Sequence, residues 1–111
     1  MSTSPHVEVR PLVDENGKLT EEAEYVGQVL HGRRTFWSGN GTKIGESEYR
    51  DGVLHGRCRL WTESGQLILD TCYDNGELHG PYMSWWENGN LKEQGRYESG
   101  ARVGLYRWFT A

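Results

Sequence analysis

Three histidines are the first residues of this 111-residue chain whose spacing suggests chemistry. His31, His55 and His79 lie 24 residues apart, and each is followed by glycine. A ladder of imidazoles is a candidate metal site. If equivalent residues are two β-strands apart, however, neighbouring imidazoles are separated by roughly 9–10 Å, whereas zinc ligands all lie about 2 Å from one ion. We therefore expect no metal site, and we expect each imidazole to hydrogen-bond the backbone of a nearby loop.

The cysteines Cys58 and Cys72 are candidates for redox chemistry. In the register derived below they point to opposite faces of a sheet, whereas a disulfide needs β-carbons that are close and point together. We expect two free thiols. No Ser-His-Asp, Cys-His or paired-carboxylate arrangement stands out in the sequence, so we expect neither an enzyme nor a cofactor.

Aromatic residues point to recognition rather than reaction. A large ring recurs every 24 residues near arginines. The candidate binding residues, called the tryptophan stripe below, are Trp37, Trp61, Trp85, Phe109, Arg33 and Arg59. Exposed aromatic patches commonly mark binding sites, and Trp, Tyr and Arg are enriched at interface hot spots. The sequence leaves open the alternative that these rings are packed inside the fold.

The element that positions these residues is a repeat. Tyrosine and glycine recur with the same 24-residue period as the tryptophans, and a fixed period in this range indicates a stacked structural unit. The period divides the chain into an N-terminal tail and capping half-repeat (1–24) and a repeat region (25–111). The units of the repeat region are 25–48, 49–72, 73–96 and a partial 97–111.

The turns indicate the secondary structure. Asn16-Gly17, Asn40-Gly41, Ser64-Gly65 and Asn88-Gly89 separate apolar runs, and Asn-Gly favours a two-residue type I′ hairpin turn. Asp51-Gly52 and its equivalents predict a second set of tight turns. The sequence thus predicts an all-β fold, an elongated and twisted antiparallel β-meander, resembling a solenoid, built from 24-residue β-hairpin repeats.

Two-residue loops fix the register and the two faces. They set Trp61 opposite Ile68, Leu60 opposite Leu69, and Tyr73 opposite Gly56, where the tyrosine ring would cover the glycine. We expect the face that carries Leu60 and the tyrosines to be the core. Its expected cover is a set of loop leucines, namely Leu30, Leu54 and Leu78. The tryptophan stripe lies on the opposite face.

Charge restricts the partners. The formal net charge is −4, and it comes from residues 1–24, because acids and bases balance in the rest of the chain. Nucleic-acid binding needs a basic surface, so we expect no nucleic-acid partner. A membrane partner is also not expected, because anionic lipid repels the acidic segment and no basic cluster compensates. Residues 1–10 lack an apolar leader, and we expect a cytoplasmic protein.

The motif Tyr-x-x-Gly-x-x-His-Gly, followed by an aromatic strand and a Gly turn, resembles a MORN repeat, and more closely its bacterial variant. Residues Tyr49, Gly52, His55, Gly56 and Trp61 of one unit carry the resemblance, and the next unit repeats it from Tyr73 to Gly89. The resemblance implies an elongated β-sheet that mediates association with proteins, or in some cases lipids. Bacterial members are often described as antitoxin-like.

The first functional hypothesis is therefore a non-catalytic protein-interaction module, with an inhibitor or antitoxin-like partner of another protein as its narrower form. The alternative is small-ligand or glycan binding through the tryptophan stripe. A third hypothesis is a homo-oligomer. The last strand, about 104–110, has no hairpin partner in this sequence, and an unpaired edge invites pairing with another chain.

Overall fold

The computed structural model describes residues 6–111, and in this range all regular structure is β-sheet. Nine strands form one antiparallel sheet in which each strand is bonded to its neighbours in sequence. The strands are β1 (Val7–Val13), β2 (Leu19–Val26), β3 (Val29–Trp37), β4 (Lys43–Arg50), β5 (Val53–Trp61), β6 (Leu67–Asp74), β7 (Glu77–Trp85), β8 (Leu91–Glu98) and β9 (Ala101–Trp108). The predicted all-β, elongated meander of hairpins is confirmed.

The sheet is one layer thick. Its extents are 52 × 38 × 16 Å, and all strands of residues 6–111 lie in it, so no second layer of this range covers either face. Ala23, 1% exposed, is the one apolar residue of this range that is fully buried. Single-layer sheets must obtain their stability from cross-strand side-chain pairs rather than from a core.

The prediction that leucines from loops cover the tyrosines is wrong. Leu54 is not in a loop above the sheet but in β5, where it pairs with Tyr49, and Leu78 pairs with Tyr73 in the same way. These leucines are half-buried beside the tyrosines. The reason is geometric: the connection before each leucine needs only two residues, so the leucine is already in the strand.

The two kinds of turn are assigned differently from the prediction. Asp51-Gly52, Asn75-Gly76 and Ser99-Gly100 have positive φ at both residues, which defines the type I′ turn. The Ser64-Gly65 connection is a three-residue loop instead, closed by a hydrogen bond from the Gly65 amide to the Thr62 carbonyl. Only its glycine, at φ 94°, is in the left-handed region.

A β-bulge compensates for the longer loop. Trp61 pairs with Leu67, not with Ile68 as predicted, because the loop contains one residue more. The extra residue, Ile68, is then bulged out of the pairing, and beyond it Leu60 pairs with Leu69 as predicted. The same correction applies to Trp37, which pairs with Lys43 rather than with Ile44.

A second irregularity lies at each His-Gly pair, where β3, β5 and β7 contain extra residues relative to the preceding strand. Gly56 pairs with Tyr73 as predicted, but the ring is not what requires glycine there. Its φ is +117°, and a β-carbon would lie 2.6 Å from Oε2 of Glu48. Backbone conformation and the glutamate side chain together exclude a larger residue.

Candidate functional site

The sheet presents two chemically different faces. Cross-strand partners point to the same side, and one continuous row of partners, from β3 to β9, consists of Phe36, Gly45, Leu60, Leu69, Ser84, Glu93 and Trp108. We call this side, which also carries Tyr25, Tyr49, Tyr73 and Tyr97, the tyrosine face. The opposite side, called the charged face, carries the row Glu46, Arg59, Asp70, Met83, Gln94 and Arg107.

The tyrosine face is built by a contact that recurs with the repeat. A large side chain lies over the tyrosine fifteen residues later in three of the four units: the Arg10 guanidinium is 4.3 Å from the Tyr25 ring centroid, the Arg34 guanidinium is 6.0 Å from that of Tyr49, and the Tyr82 and Tyr97 centroids are 5.5 Å apart. The equivalent residue before Tyr73 is the smaller Cys58. Small residues fill the spaces between these large ones, and Thr71 is only 2% exposed. Burial raises the pKa of the Tyr82 hydroxyl. The result is a continuous aromatic surface on a shallow sheet.

The charged face is an ion-pair network. Arg57 donates two hydrogen bonds to Asp70, at 3.1 and 2.8 Å, and Arg59 lies 3.8 Å from Glu46 and 3.7 Å from Asp70. The hydrogen bond from Arg57 lowers the pKa of the Asp70 carboxyl, opposed in part by desolvation. Charges of both signs alternate here, so this face offers no uniform field to a partner.

The tryptophan stripe runs along the loop end of the charged face. Trp37, Trp61 and Trp85 each end their strand and are half-buried. Lys43 Nζ is 4.9 Å from the Trp61 ring centroid and 3.1 Å from Glu46, which places this ring on the charged face. The structure thus positions the three tryptophans equivalently, two strands apart.

The other members of the stripe are less uniform. Phe109 lies just beyond β9 and is 39% exposed. Arg33 is exposed, and its backbone amide donates to the Glu24 carboxylate. Arg59 is part of the ion-pair network, so its guanidinium already has acidic partners within the chain. Whether these residues bind a partner stays a prediction.

The histidines have the predicted backbone contact. Nδ1 of His31, His55 and His79 accepts a hydrogen bond, at 3.2 Å in every case, from an amide of the following type I′ turn. The donors are Asp51 and its two equivalents. Within residues 6–111 no group of three or more histidine, cysteine, aspartate or glutamate residues is arranged to hold a metal ion.

The cysteines are placed as predicted. Cys58 pairs with Thr71, and Cys72 pairs with Arg57, so the two thiols are on neighbouring pairs and opposite faces. Both are free. The register therefore gives neither thiol a partner for a disulfide within the chain.

An open cavity of about 590 Å³, which no motif in the sequence indicated, lies beside Trp85 and Trp86, and its volume is in the size range of ligand pockets. It combines aromatic walls with Ser84, Lys92 and Glu93, and the Ser84 hydroxyl is buried without a hydrogen-bond partner among residues 6–111. Its lining is Ile68, Leu69, Tyr82, Ser84, Trp85, Trp86, Glu87, Asn88, Lys92, Glu93 and Ala111. The signal that could have found it is a departure from the repeat, because Trp86 and Glu93 have no counterpart of the same type in the preceding unit.

Architecture and site define a class: an open repeat sheet that exposes extended surfaces. Two segments, residues 54–75 and 78–99, match the family model described as the MORN repeat variant. These two segments, which together make up less than half of the chain, are similar to MORN repeats, and MORN repeats are in general non-catalytic modules that interact with proteins or membranes. No curated protein and no solved structure matches the chain. Within residues 6–111 no helix is long and apolar enough to cross a membrane.

Proposed function

We propose that this chain is a non-catalytic protein-interaction module whose main binding surface is the tyrosine face. The observation that supports it is that this face consists largely of aromatic and apolar side chains, and that no layer of residues 6–111 covers it. Leu60, in the middle of the face, is 38% exposed. An apolar surface of this extent is typical of an interface, and the sheet exceeds the roughly 800 Å² per partner of a standard complex.

The tryptophan stripe is the second candidate surface, and the chain offers a matched pair of variants to separate the two. Leu60 and Trp61 are adjacent in β5 and point to opposite faces. The test is capture from the lysate of the native host, read by mass spectrometry, with wild type, Leu60→Ser and Trp61→Ala as baits.

Loss of a stoichiometric partner only in Leu60→Ser supports the tyrosine face, and loss only in Trp61→Ala assigns the interface to the stripe. Circular dichroism must show that both variants keep their fold. If no protein is enriched by the wild type, the proposed function is wrong.

The narrower form of the proposal is an inhibitor, or antitoxin-like, role. It is supported by the resemblance to the bacterial repeat variant. In that case the captured partner should be an enzyme or toxin that impairs growth when expressed alone, and co-expression of this chain should restore growth. A partner that is harmless alone would contradict this form and leave the interaction module in place.

A second candidate function is glycan binding through the tryptophan stripe. The observation that favours it is the equivalent placement of Trp37, Trp61 and Trp85, which sets the rings roughly 9–10 Å apart on a scale suited to successive sugar units. A change in tryptophan fluorescence on titration with an oligosaccharide, absent in Trp61→Ala, would support it. A glycan array without binding would exclude it.

Self-association is a further possibility for the partner, because β9 is bonded to one strand only, β8, among the described residues. Light scattering over a concentration series tests it, and a mass that stays at one chain contradicts it. A cytoplasmic location stays a prediction, to be checked by fractionation of the host cell.

A further inference from the structure

Two equivalent glutamates on the tyrosine face, 72 residues apart, are hydrogen-bonded by different side chains. In the N-terminal half, Arg34 Nη2 donates a 3.0 Å hydrogen bond to Oε1 of Glu21. Three repeats later, the equivalent pair is Tyr106 and Glu93, and the Tyr106 hydroxyl donates a 2.6 Å hydrogen bond to Oε2 of Glu93. The aromatic neighbour is conserved in kind between the two sites, because Phe36 pairs with Glu21 and Trp108 pairs with Glu93.

The exchange of arginine for tyrosine changes the charge balance. Glu21 forms an ion pair with Arg34, whereas Glu93 has no basic group within ion-pair distance among residues 6–111. Its Oε2 accepts from a neutral phenol, and the Arg102 guanidinium lies over the ring of that phenol, 4.0 Å from its centroid, so the carboxylate itself has no ion-pair partner among residues 6–111. A cation of another molecule could therefore form with Glu93 the ion pair that Arg34 forms with Glu21.

The surroundings of Glu93 suit a flat cation. Glu93 lines the cavity of about 590 Å³, with Tyr82 and Trp86 among its walls. The Trp86 indole is held in place by a 3.2 Å hydrogen bond from Nε1 to the Phe109 carbonyl and by an edge contact with Trp108. At the N-terminal site the Arg34 guanidinium lies 4.8 Å from the Phe36 ring centroid, so the fold already shows a guanidinium held between a glutamate and an aromatic ring.

We propose that this cavity binds the guanidinium of an arginine side chain presented by a partner protein. Glu93 accepts its hydrogen bonds, and the rings of Tyr82 and Trp86 provide the stacking surface. Arginine fits better than lysine because its planar fork matches a carboxylate and stacks on aromatic rings. The inference rests on the proposed function, since it names one residue of the partner that the tyrosine face would bind.

The other charges of the cavity set the strength of binding. Glu87 and Glu93 against Lys92 give the lining one excess negative charge. Lys92 Nζ lies 4.7 Å from the Trp86 ring centroid and competes with an incoming cation for that ring. Removing this ammonium in Lys92→Met should therefore tighten binding of arginine.

The first test uses a probe rather than a partner. Nα-acetyl-arginine amide is titrated into the 15N-labelled protein, and the tryptophan indole N–H signals are followed by NMR. We expect the Trp86 signal to shift with a Kd on the order of 1 mM, a usual strength for a probe of this size. The citrulline analogue, which has the same shape without the charge, should not shift it, and Glu93→Gln should weaken binding by about tenfold.

Two exchanges between the repeats make the test specific. Tyr106→Arg supplies the missing cation within the chain, and it should abolish binding of the probe while the fold is kept. Arg34→Tyr removes the resident cation from Glu21 and should create a second binding site at the N-terminal half, seen as shifts around Phe36.

Several results would overturn the inference. No indole shift at about ten times the expected Kd would do so, as would equal binding by Glu93→Gln, or binding of the citrulline analogue as strong as that of arginine. Failure of the proposed function is distinguishable: the probe would bind, but no partner protein would be captured. A captured partner that binds Tyr106→Arg as tightly as wild type overturns the arginine site alone.

Discussion

The amide N–H of Asn75 donates to Nδ1 of His55, 3.2 Å away and twenty residues earlier in the chain. The next amide, that of Gly76, donates at 2.8 Å to the Leu54 carbonyl. Both central residues of the type I′ turn are thus tied to the strand of the preceding repeat. The recurrent His-Gly pair joins neighbouring repeats, which explains its period without a metal.

This relationship predicts the effect of removing the imidazole. His55→Ala should lower the free energy of unfolding by about 0.5–1.5 kcal/mol, the usual net value of one hydrogen bond, because water can replace the lost acceptor in an exposed turn. Urea denaturation measures the change. The control is His6→Ala, since His6 is exposed at the start of the described chain. Equal stabilities of the two variants would contradict the structural role.

A second prediction concerns the type I′ turns. Ser99 has φ 48°, the same as Asn75 at the equivalent position, and asparagine tolerates the left-handed region better than serine does. Ser99→Asn should therefore stabilise the protein by about 0.5 kcal/mol, and Ser99→Ala should destabilise it. Thermal unfolding gives the order of the three stabilities. Alanine as stable as asparagine would show that the turn is not left-handed at this residue.

Much of the fold could be predicted from the period alone, because a repeat of this length fixes strands, turns and neighbours together. The turn type at Ser64-Gly65 could not. Asparagine at the equivalent positions favoured a type I′ turn, but in the structure its side chain serves a different purpose. Oδ1 of Asn40 accepts from the Thr42 amide, and Oδ1 of Asn88 accepts from the Asn90 amide.

The candidate site was less predictable. The position of Trp61 on the face opposite Leu60 followed from strand alternation, and the structure agrees. The cavity beside Trp86 did not follow, because this open groove depends on how Tyr82 and Glu93 from neighbouring strands border it. Such a cavity forms where individual side chains differ from the repeat pattern. A prediction based on the residues that the repeats share does not include those differences.

A third prediction follows from the Arg57–Asp70 ion pair. Because this pair lowers the pKa of Asp70 in the folded state, its contribution is present above the carboxyl's ordinary pKa of about 3.9 and is lost as the pH falls through the lowered value. Asp70→Asn should cost less than about 1 kcal/mol at pH 7, as Arg57 is half-exposed and solvent screens the pair.

The measurement is the free energy of unfolding of wild type and Asp70→Asn between pH 7 and pH 2. The difference between them should shrink towards the acid end. Glu63→Gln, in an exposed loop position, is the control for a change of charge alone. A difference that stays constant over this range would mean that Asp70 acts by packing rather than by charge.

The last prediction concerns Tyr106, whose hydrogen bond to Glu93 raises the pKa of the phenol to about 12. Since the folded value exceeds the ordinary value of about 10, the bond stabilises the fold fully below pH 10, and this contribution is lost as the pH rises towards 12. Titration of tyrosinate absorbance should show a late phenol near pH 12 in the wild type, and the midpoint of this phenol should return towards pH 10 in Glu93→Gln. Gly95→Ala should have a similar effect by another route, because a β-carbon there would lie 2.9 Å from Cδ2 of Tyr106 and displace the ring. Gly39→Ala, where a β-carbon would meet no atom within 4 Å, should leave the late phenol in place. A late phenol that persists in Glu93→Gln would show that the carboxylate is not the cause of the raised pKa of Tyr106.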